Sequence, residues 1–172
     1  MPDIAPILKH LHATRQRFLA EIASVPDNRW QESPRPGAWS AAEVVAHVTL
    51  VERAINKNAN RILSAPPASI PLRKRLRLPI WISTWRLFRV KTSVRLKPEL
   101  IGDKNELSAS LTAARKLTTD FLEANRDRDL SDYCAPHPFL GNLSLYKWYR
   151  FISYHEERHR KQIREIVETF QL

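Results

Sequence analysis

Apolar residues recur at helical spacing in four separate segments of this chain, and no segment shows the strict alternation of a half-buried strand. The predicted helices cover residues 4–24, 40–63, 103–121 and 143–170. Three glycines are too few for a turn-rich β architecture, and a hydrophobic content of 43% in 172 residues is enough to bury one core. The sequence therefore predicts an all-α four-helix bundle that forms a single domain over residues 1–172.

The start of the second helix is the clearest boundary in the sequence. Ser40 is a favoured N-cap residue and Glu43 follows three positions later, which is the pattern of a capping box. Trp39 and Val44 are placed for the hydrophobic staple that accompanies such a box. Pro66 and Pro67 end the segment. We therefore expect a well-defined helix from Ser40 to about residue 63.

Three histidines lie on apolar stripes of the predicted helices. On a helix of about 100° per residue, His159 lies one turn beyond His155 on the same face. The same face carries a set of large apolar residues: Trp148, Ile152, Ile163, Ile166 and Phe170. On the second helix His47 shares a stripe with Val44 and Ile55. All three imidazoles are therefore predicted to point into the interior of the bundle.

These three imidazoles are the candidate ligands of a metal ion. A single core histidine is more often a hydrogen-bonded packing residue than a ligand, but a facing His47 favours a shared site. Ligands at i and i+4 on one helix, with one more from a facing helix, are a common way to bind a divalent metal inside a bundle. Gln162 lies one turn beyond His159 and is a candidate for orienting a ligand or substrate. Glu43 is a further candidate for supporting His47, although its capping role is favoured.

Residues 155–159 also match the H-E-x-x-H pattern of zinc peptidases, in which the glutamate is the general base. That pattern makes Glu156 a candidate catalytic residue, with a solvated surface charge as the alternative. Such enzymes usually take a third ligand from further along the chain, and no histidine follows His159. The peptidase interpretation is therefore a minor alternative.

The net charge of +10 is concentrated between the second and third helices. No acidic residue occurs between Glu52 and Glu99, whereas twelve lysines and arginines do. Trp81, Trp85 and Phe88 fall on one face if their segment is helical. Residues 73–97 thus fit a module that binds nucleic acid or an anionic membrane, with the metal then structural. The favoured interpretation is an insertion whose tryptophan face covers the bundle or a homodimer partner.

Three stretches of the chain together resemble the DinB-like superfamily. Residues 36–47 contain Trp39 and Ser40 and end at His47, like the entry to the second helix in that superfamily. Residues 137–144 resemble the loop before the last helix. Residues 155–163 carry the closing His-x-x-x-His-x-x-Gln-Ile pattern. The resemblance implies an up-down-down-up bundle with a long crossover between helices two and three. It also implies a site for zinc, nickel or a similar divalent ion at His47, His155 and His159. Several members of this superfamily are transferases or isomerases that use a low-molecular-weight thiol.

These observations together predict a metal-dependent enzyme of the thiol-transferase or hydrolase type that acts on a small molecule. Three histidine ligands leave a coordination position for water or substrate, and the metal lowers the pKa of a group bound there. Cys134 is the only cysteine, which excludes an intramolecular disulfide. The sequence also lacks the pattern of a signal peptide, so we expect a cytoplasmic protein.

Overall fold

The computed structural model describes residues 3–64, 79–80 and 101–171. Their helices are α1 (Ala5–Ala23), α2 (Ala41–Leu63), α3 (Lys104–Ala124) and α4 (Leu145–Gln171), with a short 3₁₀ helix at Asp27–Arg29. These bounds confirm the four predicted helices to within about three residues. Within the described ranges, no helix is both long enough and apolar enough to cross a membrane.

Side-chain caps fix where α2 and α3 begin. Ser40 accepts a hydrogen bond from the Glu43 backbone N–H, and the Glu43 carboxylate accepts one from the Ser40 N–H at 2.8 Å. This confirms the predicted capping box and the capping role of Glu43. Asp103 and Glu106 form the same reciprocal pair at α3, with the same spacing in the sequence. Both caps satisfy backbone donors that a helix leaves unpaired in its first turn.

The segment before the last helix contains a short β-hairpin that the sequence analysis treated as a polar loop. Strand β1 (Cys134–His137) pairs antiparallel with β2 (Gly141–Ser144). Four-residue strands are too short to show an alternation in the sequence. The turn is held by the His137 side chain, whose Nδ1 accepts the backbone N–H groups of Phe139 and Leu140. Gly141 follows with a positive φ of 79°, a conformation that glycine adopts without strain.

The helices pack in a consistent set of directions. Contacts between α1 and α4 advance together along both helices, from His10 with Tyr154 to Glu21 with Arg164. Contacts between α2 and α4 run in opposite directions, since His47 meets His159 and Asn56 accepts a hydrogen bond from the Tyr149 hydroxyl. Helices α2 and α3 also pack side by side. The four helices therefore enclose one interior. Its buried apolar side chains form two clusters, one containing Tyr149 and the other containing Val44.

The basic segment, residues 73–97, lies almost entirely outside the described residues. Only Pro79 and Ile80 of it are described, and Ile80 packs against the apolar cluster that contains Tyr149. The contact directions are consistent with an up-down-down-up order. That order and the long crossover between helices two and three stay predictions.

Candidate metal centre

Helices α2 and α4 bring the three predicted histidines together. One ring nitrogen from each of His47, His155 and His159 lies within 4.8 Å of the others. The ring centroids are 5.2 Å apart for His47 and His155, 5.0 Å for His47 and His159, and 4.5 Å for His155 and His159. The i, i+4 spacing on α4 places two of the rings one turn apart, edge to face, and α2 presents the third across the interface.

Burial favours the uncharged form of two of these imidazoles, His47 and His155. His47 and His159 are 5% and 7% exposed, whereas His155 is half-buried. Burial lowers the pKa of His47 from 6.5 to about 4. Burial also lowers the pKa of His155 well below 6.5, and the neighbouring His159 and His47 lower it further. Uncharged rings have lone pairs available at neutral pH, which is the form that binds a metal.

The donor set fits a metal ion in chemistry and in spacing. His47 Nδ1 is buried and has no hydrogen-bond partner in the part of the chain that the structure describes. A buried polar atom without a partner is costly, and a bound cation would remove that cost. A tetrahedral site with metal–nitrogen distances of about 2.0–2.1 Å separates its ligand nitrogens by about 3.3 Å. The observed upper limit of 4.8 Å requires only small side-chain rotations to reach that spacing.

Gln162 supports one of these histidines rather than standing free. Its Oε1 lies 2.8 Å from His159 Nδ1. With the proton on Nδ1, His159 donates to the amide oxygen and carries its lone pair on Nε2. A hydrogen bond of this kind fixes the tautomer and the ring orientation of a ligand histidine. The geometry therefore places Gln162 behind His159 as an orienting partner.

Aromatic rings surround the histidine cluster on two sides. Trp39, from the start of α2, lies 5.0 Å from the His47 ring, and Phe151 lies 5.4 Å from the His155 ring. Such rings limit the access of water. His155 is the most exposed of the three histidines.

A comparison with known proteins places this bundle in a family. The model of the DinB superfamily matches residues 10–163, a range that contains most of each helix and the three histidines. The chain belongs to the DinB superfamily. This agrees with the resemblance carried by the residues around His47, His137 and His155.

Two relatives extend this assignment. The uncharacterized protein YuaE of Bacillus subtilis (strain 168) is 24% identical over 153 residues, which covers 88% of this chain and 91% of YuaE. A solved structure described as TT2238, a four-helix bundle protein, superimposes with a TM-score of 0.59 at 25% identity and covers 93% of this chain and 97% of that one. Both likenesses cover most of each chain, and the second confirms the fold class.

His137, which belongs to the stretch that resembles the loop before the last helix, packs against aromatic residues of α4 in this DinB domain. Its ring packs 4.7 Å from Phe151 and 5.1 Å from Trp148, while Phe151 also contacts His155. Burial lowers the pKa of His137 to about 4. Pro136 and Pro138 flank His137 in the sequence. Prolines are typical of a turn, and they do not indicate which side chains the residue between them will contact.

Both sequence-based interpretations of Glu156, a catalytic base and a solvated surface charge, disagree with the structure. Its side chain is 1% exposed, and both carboxylate oxygens accept hydrogen bonds. Arg15 Nε lies 2.6 Å from Oε1, while Thr14 Oγ1 and Arg115 lie 2.8 Å and 3.0 Å from Oε2. This arrangement argues against the H-E-x-x-H peptidase interpretation, in which that glutamate activates a water.

Four charged residues, one from each helix, form a buried ring that was not predicted from the sequence. Arg15 and Arg115 each contact both Glu52 and Glu156. Their side chains are between 1% and 9% exposed. Burial by itself lowers the pKa of Arg115, but Glu156 and Glu52 outweigh it and the net effect is a raised pKa. Sequence spacing alone could not pair these residues, since they lie on four different helices.

Proposed function

We propose that this protein is a divalent-metal-dependent enzyme of the thiol-transferase or hydrolase type, with His47, His155 and His159 as the metal ligands. The observation that carries the proposal is the convergence of three imidazole nitrogens within 4.8 Å of one another. Buried histidines with no metal would be expected to have hydrogen-bond partners, yet His47 Nδ1 has none among the described residues.

The residues around the cluster give each ligand a distinct environment. Gln162 orients His159 through the 2.8 Å contact, and Trp39 packs on His47. His155 is half-buried and packs beside Phe151. When bound, a divalent ion held by three histidines retains an open position and lowers the pKa of a water or thiol there. The accessible side of His155 is where a small substrate would meet that position.

Zinc or nickel is the proposed metal, because imidazole nitrogen suits both ions. A low-molecular-weight thiol is the proposed cosubstrate if the reaction is a transfer. Water takes its place if the reaction is a hydrolysis. The substrate class is a small molecule, since Trp39 and Phe151 pack directly against the histidines. The homodimer and the cytoplasmic location expected from the sequence stay predictions.

The alternative function is a binding module that contacts nucleic acid or an anionic membrane through residues 73–97. That segment lies outside the described residues except for Pro79 and Ile80. No observation in the described part of the chain favours it. We therefore retain the metal-dependent enzyme as the proposed function.

Elemental analysis of protein purified without a histidine tag tests this proposal. We expect near one equivalent of metal per chain, and its loss in His47→Ala and His155→Ala. His12→Ala is the matched control, because His12 is exposed on α1. Wild-type metal content in His155→Ala would contradict the assignment of the ligands. Once metal is established, an assay of thiol transfer and ester or amide hydrolysis with and without chelator tests the reaction class.

A further inference from the structure

The two carboxylates of the buried ring lie on the same helices as the histidine ligands. Glu52 follows His47 on α2 by five residues, and Glu156 is the residue directly after His155 on α4. Both side chains are 1% exposed. The two arginines come instead from α1 and α3, which carry none of the three histidines. The ring is therefore divided, with its anions on the ligand helices and its cations on the other two.

Each arginine joins the two ligand helices to each other. Arg15 donates to Glu52 at 2.7 Å and to Glu156 at 2.6 Å. Arg115 donates to Glu52 at 2.7 Å and to Glu156 at 3.0 Å. The two carboxylates are thus bridged by both arginines, and all four carboxylate oxygens of Glu52 and Glu156 accept one of these hydrogen bonds. A doubly bridged pair resists both rotation and sliding of one helix against the other, because either motion breaks charge-assisted hydrogen bonds that water cannot replace.

Backbone contacts fix the guanidinium groups in turn. Arg15 also donates to the carbonyl of Leu111, and Arg115 donates to the carbonyl of Leu11. Two threonines complete the acceptor sites of the carboxylates, since Thr14 donates to Glu156 at 2.8 Å and Thr118 donates to Glu52 at 2.7 Å. Every charged group of the ring therefore has several partners, as a rigid buried network requires.

A small rotation of α4 would be enough to disrupt a metal site. Side-chain atoms lie about 5–6 Å from a helix axis, so a 20° rotation moves an imidazole nitrogen by about 2 Å. That displacement is as large as a metal–nitrogen bond of about 2.0–2.1 Å. Since His47 lies on one helix and His155 and His159 on the other, the site depends on the rotational setting of α2 against α4.

We propose that Glu52 and Glu156 are positioning residues of the metal centre, and that the arginine-bridged ring holds α2 and α4 at the rotation where the three imidazoles converge. This inference rests on the proposed function for its metal. Its structural content is separate, because the ring acts on the histidine geometry before any ion binds. Glu156 in this role touches neither substrate nor metal and acts through His155 and His159.

Glu156→Gln is the test, because it removes one buried charge and keeps the side-chain shape. Glu157→Gln is its matched control, one residue further along α4 at a half-buried ion pair with Arg160. Zinc affinity is measured by competition with a chelator, and the Co²⁺-substituted protein is examined by visible absorption. We expect Glu156→Gln to weaken zinc binding on the order of 10-fold, the lower end of the range for residues that hydrogen-bond a ligand directly, because Glu156 acts through the helices. We also expect a changed Co²⁺ spectrum. We expect less than a threefold change in Glu157→Gln.

Thr14→Val provides a milder variant that keeps all four charges, in case Glu156→Gln does not fold. It removes one hydrogen bond to Glu156, and we expect zinc affinity to fall several-fold while the fold is retained. The histidine ring signals of metal-free protein in NMR should shift in both ring variants and not in Glu157→Gln. Ring variants that lose thermal stability but keep wild-type zinc affinity, Co²⁺ spectrum and histidine signals would reduce the ring to a purely structural role and overturn the inference. A wild-type protein that binds no zinc or Co²⁺ would overturn the proposed function, and with it the positioning of a metal centre.

Discussion

Replacing Arg15 with methionine removes one cation from the buried ring and keeps most of the packing of the side-chain stem. Arg15 is 6% exposed and contacts Glu52 at 2.7 Å and Glu156 at 2.6 Å. It also donates to the Leu111 carbonyl. In the wild-type ring two arginines balance two glutamates. In Arg15→Met, Arg115 alone faces both carboxylates, and the ring carries one uncompensated buried negative charge.

The size of the effect follows from that charge. Breaking a buried ion pair by removing one partner costs about 3–5 kcal/mol in the free energy of unfolding. Natural domains are stable by only about 5–15 kcal/mol, so this loss is a large part of the total. For a chain of this length, about 1 kcal/mol corresponds to about 2–4 °C in melting temperature. We therefore expect Tm to fall by roughly 6–20 °C.

Urea denaturation of metal-free protein, followed by circular dichroism, measures this loss without any contribution from metal. Arg126→Met is the control, because Arg126 forms an exposed pair with Glu123 whose side chains are 61% and 49% exposed. Exposed pairs contribute about 0–1 kcal/mol. A loss below about 1 kcal/mol in Arg15→Met, or equal losses in the two variants, would refute the view that the ring is a tightly coupled buried network.

Three further predictions concern the histidines and the basic segment. The pKa values of His47 and His137 are lowered to about 4, so the unfolded chain takes up protons that the folded chain does not. The free energy of unfolding of metal-free protein should therefore be constant above pH 6.5 and should decrease as the pH falls toward 4. The decrease due to His47 is up to about 1.4 kcal/mol per pH unit. Urea titrations of His137→Asn should show a smaller decrease than those of the wild type. Gln162→Leu should weaken zinc binding about 10- to 100-fold in a chelator competition, and unchanged affinity would show that the His159 contact is dispensable. Replacing Arg73, Lys74, Arg75 and Arg77 with serine should leave metal content and helicity unchanged, whereas loss of all function with the metal intact would favour the binding-module alternative.

The four helices and the candidate metal-ligand histidines could be predicted from the sequence because they depend on the spacing of residues within one helix. Ser40 and Glu43 specify a helix start through contacts three residues apart, and the structure has that capping box. His155 and His159 share a face because one helical turn separates them. His47 could be added because its own helix has a clear apolar stripe. Each of these inferences uses positions within one helix.

The tertiary structure decided the roles of residues whose partners lie on other elements. The sequence left Glu156 between a catalytic base and a surface charge, whereas in the fold it meets Arg15 and Arg115 at a separation of 141 and 41 residues. His137 was assigned to a loop, and the hairpin carries it against Phe151 beside the histidine cluster. Helical periodicity reports which face of a helix is buried, and it holds no information on which side chain of another helix will meet that face. The sequence by itself therefore determined the four helices and their interior faces, while the packing of those faces decided which charges pair and how the three imidazoles converge.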